Sequence, residues 1–151
     1  MMEYNNIIVA VDGSKASEKA FDKAIYIAKR NHARLIISHV IDTRAFATVE
    51  AYDRTLAERA VTHADELLQE YKNQALNQGI EQVDTDIEYG SPKIKIAKEV
   101  APKFEADLII CGATGLNAME RFFIGSVSEH VTRYAACDVL IVRNSSDEEK
   151  K

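Results

Sequence analysis

Short, continuously apolar runs alternate along this chain with longer segments in which apolar residues recur every three or four positions. The runs are too short for amphipathic helices and end at polar or glycine residues, so they predict buried parallel strands. Such runs predict strands at residues 7–11, 34–41, 107–111 and 139–142, and a fifth strand is expected at residues 83–89, where apolar and polar residues alternate. Parallel strands need crossover connections, which place helices on both faces of the sheet, so the alternation predicts a doubly wound α/β domain.

The connecting segments carry helix start and stop signals. Ser14 is a candidate N-cap for the first helix, and Gly79 is a candidate C-cap for a long second helix within residues 50–78. The last helix is expected over residues 126–135, with a capping box between Ser126 and Glu129.

The third helix has its own punctuation. Ser91 is its expected N-cap, Pro92 occupies the first helical position, and Pro102 should end or kink it. Three apolar residues are expected to face inward: Ile94, Ala97 and Val100.

Length and charge limit the possible functions. A chain of 151 residues, 46% of them hydrophobic, suits one domain, predicted over residues 1–143, with a polar tail at 144–151 that we expect to be disordered. The net charge of −5 argues against a nucleic-acid partner, and no apolar run approaches the ~20 residues of a membrane span. Cys111 and Cys137 suit a reducing compartment, so a cytoplasmic protein is predicted.

Polar residues follow the first and fourth strands. Asp12 comes directly after the first strand, and Gly112 follows the fourth. If these strands are neighbours, their carboxyl ends part and leave a crevice for a ligand. Asp12 could there accept hydrogen bonds from a ribose diol, hold a metal ion on a phosphate chain, or simply bond the backbone of its own turn.

A glycine-bearing loop connects the fourth strand to the last helix. Gly112 and Gly115 are followed by Gly125 and Ser126, so the loop ends at a helix N-terminus. Glycine lets backbone N–H groups approach an anion closely, and a helix N-terminus carries partial positive charge, so this loop is a candidate phosphate site. The loop also contains Arg121, which could reach a phosphate or be a solvated loop residue.

Several enzyme and metal motifs are absent from the sequence. The P-loop lysine motif, the dinucleotide fingerprint after the first strand and the nucleophile elbow do not occur. The four histidines lack the spacing of a zinc site, so no metal ligands and no catalytic residues are predicted.

The glycine spacing resembles a known signature. Residues 112–115 and 125–129 match the G-x2-G-x9-G-[ST] pattern of the ATP-binding branch of the universal stress protein family, and residues 8–14, 39–42, 106–109 and 137–142 resemble its strands. Residues 113 and 114 depart from the Ser-His of many relatives but keep both glycines. The resemblance implies an adenine nucleotide alpha hydrolase-like sheet ordered 3-2-1-4-5, with ATP between the first and fourth strands.

The resemblance also implies a role for each matching residue. Asp12 would bond the ribose, Val40 would pack on adenine, and Gly112 and Gly115 would line the ribose and first phosphates. The remaining matches would hold the triphosphate through backbone N–H groups and hydroxyls: Gly125, Ser126, Val127 and Ser128. ATP is therefore the expected ligand, with Mg²⁺ or Mn²⁺ as the candidate counter-ion.

Finally, the resemblance implies a homodimer in which the last strand, residues 139–143, pairs edge to edge with its copy. Three functions are compatible with these observations: a nucleotide-dependent stress-response regulator, a slow ATPase or nucleotidyl transferase at the same site, and a nucleotide-free structural or chaperone-like dimer. The intact glycine signature favours the first, and the missing base and metal cluster count against the second.

Overall fold

A computed structural model of the protein describes residues 3–42, 54–113 and 124–143. Within these ranges five strands alternate with four helices, and every predicted strand is confirmed to within one residue at each end. In chain order the elements are β1 (Asn6–Ala10), α1 (Lys15–Asn31), β2 (Arg34–Asp42), α2 (Arg54–Asn77), β3 (Val83–Gly90), α3 (residues 92–103), β4 (Leu108–Gly112), α4 (Ser126–Tyr134) and β5 (Asp138–Val142).

The strands form one parallel sheet in the order β3-β2-β1-β4-β5, as expected. β1 lies at its centre, with Ile8 paired to Ile36 of β2 on one side and to Ile109 of β4 on the other. The chain moves outward from β1 to β2 and β3, then returns to the far side of β1 for β4 and β5. The direction of strand addition therefore reverses between β1 and β4.

Both faces of the sheet are covered, which explains why the central strands β1 and β4 are almost continuously apolar, whereas β3 at the edge alternates apolar and charged residues. α1 and α2 pack on one face, where the rings of Phe21 and Tyr71 lie 4.5 Å apart between their centroids. α3 and α4 cover the other face through Val100 and Val131, both fully buried. The two cores share no side chain, because alternate residues of each strand point to opposite faces.

Two predicted helix signals are confirmed. The Ser14 side chain accepts a hydrogen bond from the Ser17 N–H at 3.1 Å and caps α1. α2 ends just before Gly79, whose φ of +99° lets the Ile80 N–H return to the Ala75 carbonyl. The expected beginning of this helix, residues 50–53, lies outside the described residues.

α3 differs from the prediction in its middle. The helix is α-helical over Pro92–Lys95, π-helical over Ile96–Val100 and α-helical again over Ala101–Lys103. Pro102 has no N–H for the carbonyl four residues earlier, and its ring crowds that carbonyl, so the preceding turn widens. The prediction that Pro102 disturbs the helix is confirmed, whereas the inward position of Ile94 is wrong: the wider turn rotates the buried face, and Ile94 is 43% exposed.

Some predictions concern parts of the chain outside the described residues. These are Gly115, Arg121 and the tail at residues 144–151, for which the expectations remain predictions. Among the described helices, none is long and apolar enough to cross a membrane.

Candidate functional site

The carboxyl ends of β1 and β4 separate at the reversal point of the sheet. Beyond β1, the Val11 N–H donates to the Ser38 carbonyl of β2 at 2.9 Å. Beyond β4, the Ala113 N–H donates to the Val142 carbonyl of β5 at 2.9 Å. The two chains thus turn to opposite neighbours once they leave the sheet, which opens a crevice between them.

His39 of β2 holds the end of β1 in this position. Its Nδ1 lies 2.8 Å from the Val11 carbonyl oxygen. A carbonyl can only accept, so this nitrogen carries the proton, and the ring is tied to the last residue before Asp12. Nothing in the sequence pattern singles out His39 beyond its position beside Val40.

Asp12 lies at the exposed rim of the crevice. Its Oδ1 accepts a hydrogen bond from the Ser14 N–H at 2.9 Å, and Gly13 between them has a φ of +85°. The predicted turn role of Asp12 is therefore confirmed. This bond occupies one carboxylate oxygen, and among the described residues no group donates to the other, so the carboxylate retains accepting capacity.

Gly112 ends β4 beneath the first turn of α1. A Cβ at this position would lie 2.8 Å from the backbone carbonyl and the Cβ of Ala16. Only glycine allows α1 to approach β4 this closely. The helix that follows Asp12 is thereby seated against the strand on the other side of the crevice.

The N-terminus of α4 faces the same crevice. Gly125 is its N-cap, and the Gly125 N–H donates to the Ala113 carbonyl at 2.7 Å. The expected capping box is wrong: Ser126 is already helical, the Glu129 side chain contacts Arg133 at 3.4 Å, and no side chain among the described residues caps this helix. A helix that begins without a side-chain cap leaves N–H groups of its first turn open to an anion.

The first turn of α4 is fixed to β4 by Ser128. This buried side chain donates a hydrogen bond to the Gly112 carbonyl. Its hydroxyl is therefore committed to the chain, whereas the exposed Ser126 side chain accepts no hydrogen bond from the described residues. The half-buried Val127 packs against the core beneath α3 and α4.

Val40 lies near the carboxyl end of β2 and is 8% exposed. Its side chain belongs to the core beneath α3 and α4, together with Ile8 and Ile36. The structure thus brings most predicted site residues to the carboxyl ends of the central strands. Asp12 follows β1, Gly112 ends β4, Val40 lies on the neighbouring strand β2, and four residues begin α4: Gly125, Ser126, Val127 and Ser128.

The electrostatics of the crevice do not favour nucleophilic chemistry. Burial raises the pKa of the Cys111 thiol, next to Gly112, to about 11, although a hydrogen bond with Ser128 lowers it in part. This thiol stays protonated near neutral pH and is a poor nucleophile. Among the described residues, no three His, Cys, Asp or Glu side chains lie close enough to hold a metal ion. The arrangement offers N–H donors for an anion and a carboxylate acceptor for hydroxyl groups.

Comparison with known proteins agrees with this fold. A model of the universal stress protein family matches residues 3–143. The chain is 51% identical over 143 residues to a universal stress protein of Staphylococcus epidermidis, covering 95% of this chain and 86% of that protein.

Solved structures place the chain in the same group. The universal stress protein UspA from Lactobacillus plantarum superposes with a TM-score of 0.84 at 34% identity, covering 95% of this chain and all of that one. A universal stress protein crystallised in complex with cAMP superposes with a TM-score of 0.71 at 28% identity, covering 94% of this chain and 98% of that one. With the family pattern matched over nearly its whole length and the same sheet order, this chain belongs to the universal stress protein family.

Proposed function

We propose that the protein binds ATP in the crevice between β1 and β4 and acts as a nucleotide-dependent regulator in the stress response. The observation that carries this proposal is the N-terminus of α4, which begins at Gly125 without a side-chain cap beside the opening of the sheet. Phosphate groups suit such a helix end because its free N–H groups and dipole favour negative charge.

The rest of the crevice matches the other parts of a nucleotide. Asp12 retains a free carboxylate oxygen for the ribose hydroxyls, and Val40 provides an apolar contact for adenine. ATP would be taken up with a Mg²⁺ or Mn²⁺ ion, whose coordination rests on the phosphates rather than on a protein cluster. The related protein solved with cAMP supports an adenine nucleotide in this family.

Regulation suits this site better than catalysis. The described residues at the crevice include no general base beside a free nucleophile: the Ser128 hydroxyl is bonded to Gly112, and Cys111 is protonated. Binding without rapid turnover allows ATP occupancy to change what the protein contacts. The free cysteines, Cys111 and Cys137, fit a cytoplasmic site of action.

We also propose a homodimer through residues 139–143. The two edges of the sheet differ: β3 carries Asp84, Asp86 and Glu88, whereas β5 is apolar between Asp138 and its end. Charged residues protect an edge from pairing with another copy, and an apolar edge invites pairing. Ile141→Pro should remove a ladder donor and give a smaller particle in sedimentation, whereas an unchanged dimer in a folded variant would place the interface elsewhere.

Gly125→Val tests the nucleotide site. Gly125 has φ −63° and ψ 160°, which valine adopts without strain, so the new side chain crowds the phosphate position without distorting the helix start. In nucleotide-free protein, ATP at a hundredfold excess over its Kd should stabilise the parent by about 2.7 kcal/mol and the variant far less.

The control is Ala136→Val, which places a valine at an exposed position beyond the other end of α4. It should retain the full ATP-induced rise in melting temperature. A parent protein that shows no rise with millimolar ATP and magnesium would overturn the proposal. So would a Gly125→Val variant with a native circular dichroism spectrum and parental ATP affinity.

A further inference from the structure

A surface formed by α3 and α4 combines exposed apolar groups with positive charge. Ile94 of α3 is 43% exposed and Tyr134 of α4 is 49% exposed. Lys98 lies one turn after Ile94 on the same helix face, and its Nζ is 5.1 Å from the centroid of the Tyr134 ring. The His130 ring also packs against Tyr134, with 4.5 Å between the two ring centroids. These residues join α3 and α4 into one continuous patch, which we call the α3–α4 face.

The cations of the α3–α4 face are only partly neutralised. Lys95 pairs with Glu99 at 2.9 Å, and Arg133 pairs with Glu129 at 3.4 Å. Among the described carboxylates, none pairs with the neighbouring Lys93 or with Lys98. A protein of net charge −5 thus keeps two unpaired lysines beside exposed apolar side chains.

The positive charges of the α3–α4 face act together on the His130 imidazole. Burial lowers the pKa of its imidazole, and the charges of Lys98, Lys93 and Arg133 lower it further. The His130 Nε2 is buried and has no hydrogen-bond partner among the described residues. Where three cations disfavour a further positive charge, they favour an incoming negative one.

We propose that the α3–α4 face docks an acidic peptide segment of a partner protein. Lys93 and Lys98 would pair with its carboxylates, while Ile94 and Tyr134 would pack against an apolar side chain of the same segment. Lysine stems and tyrosine rings present apolar surface beside a polar group, which suits mixed acidic and apolar sequences. The acidic remainder of the protein would repel an extended polyanion such as nucleic acid, so a short acidic segment is favoured. None of these residues is one assigned to the nucleotide, so this inference does not depend on nucleotide binding.

The probe for this face is a fluorescein-labelled peptide of repeated Glu-Glu-Leu triplets, with Gln-Gln-Leu triplets as its neutral counterpart. In fluorescence anisotropy at low ionic strength, the acidic peptide should bind saturably and the neutral one should not. Lys98→Glu should weaken binding roughly tenfold, because it places a like charge opposite the carboxylates. Lys23→Glu is the matched control, since Lys23 is exposed on α1, on the opposite face of the sheet, and it should leave the affinity within about twofold.

Proton NMR of the histidines gives a second measurement that locates the bound peptide. A carboxylate over Lys98 offsets the cations around His130 and should move its titration midpoint to higher pH, so affinity should increase as pH falls through that midpoint. The resonance of His63, exposed on α2, should not move when the peptide is added.

Three results would overturn the proposal. These are the absence of saturable binding, an equal loss of affinity in Lys98→Glu and Lys23→Glu, and tighter binding of a single-stranded oligonucleotide than of the acidic peptide. Since both variants change exposed residues, a native circular dichroism spectrum is expected for each, and Lys98→Gln provides a milder change at the same position.

Discussion

An aspartate lies at each end of the paired strands β1 and β4: Asp107 at their amino ends and Asp12 at their carboxyl ends. The two carboxylates serve different purposes. At the amino ends, Asp107 accepts hydrogen bonds from the N–H groups of Asn5 at 2.8 Å and Asn6 at 3.1 Å, and its own N–H donates to the Asn6 carbonyl. Both carboxylate oxygens are used, so the strands are joined there. At the carboxyl ends, the Asp12 carboxylate bonds only within its own turn, and the two chains part.

This contrast shows how one pair of strands can be rigid at one end and open at the other. Where the chain satisfies its own donors and acceptors, no capacity remains for a ligand. Where Asp12 keeps a free oxygen and α4 begins without a side-chain cap, the chain leaves polar groups that a ligand can satisfy. The closed end supplies the stiffness that keeps the open end in place.

The largest expected effect is at Gly112, which ends β4 at the open end. Gly112→Ala should destabilise the protein by about 2 to 3 kcal/mol, because the added methyl group would meet the Ala16 backbone at 2.8 Å and force α1 away from β4. Urea denaturation would measure this loss. Gly125→Ala adds the same methyl group at an allowed φ and should cost less than half as much; equal losses would remove the close packing at Gly112 as the reason for its glycine.

A smaller effect is expected at the closed end. Asp107→Ala removes two hydrogen bonds that a charged carboxylate accepts and should cost about 1 to 2 kcal/mol of unfolding free energy. Because the open end is unchanged, nucleotide affinity of the folded variant should stay at the parental value. A loss of affinity with unchanged stability would show that the two ends are not separate in function.

Asp12→Ala should change nucleotide binding and leave stability nearly unchanged, the reverse of Asp107→Ala. Its one turn hydrogen bond, to the Ser14 N–H, is worth under about 1 kcal/mol, so stability should change little. If Asp12 bonds the ribose, the parent should prefer ATP to 2′-deoxy-ATP by roughly tenfold and the variant should lose that preference. Isothermal titration with both nucleotides measures this ratio, and the same preference in both proteins would limit Asp12 to its turn.

The smallest expected effect requires no substitution. Burial raises the pKa of Cys111, beside the open end, to about 11. The pKa of Cys137, just before β5, is also raised by burial and by the nearby Asp107 and Asp138, but this side chain is only partly buried and so accessible to reagent. Iodoacetamide at pH 8 should therefore label Cys137 in the folded protein and Cys111 only after unfolding. Labelling of Cys111 in the native state, detected by peptide mass spectrometry, would mean that the crevice extends below Gly112, the last residue of β4.

Much of this site was predictable because its residues follow strands in a chain of alternating elements. Asp12 and Gly112 stand directly after apolar runs, and the topological rule for parallel sheets brings such positions together. The capping box at Ser126 and Glu129 was wrong because a pattern of residue types does not fix where a helix begins. Gly125 takes the N-cap position instead, held by the Ala113 carbonyl from the end of another strand.

The sequence by itself determined the elements and the two-sided burial of the sheet, because periodicity and turn residues act over a few neighbouring positions. Only the tertiary structure decided what depends on distant neighbours. Gly112 must be glycine because α1 places Ala16 where a Cβ would be. His39 has a structural role because its ring donates a hydrogen bond to the Val11 carbonyl, just beyond β1. Ile94 faces solvent because a widened turn rotates its helix against the sheet. These features depend on contacts between residues far apart in the chain or on how a helix packs against the sheet. A local sequence pattern predicts neither.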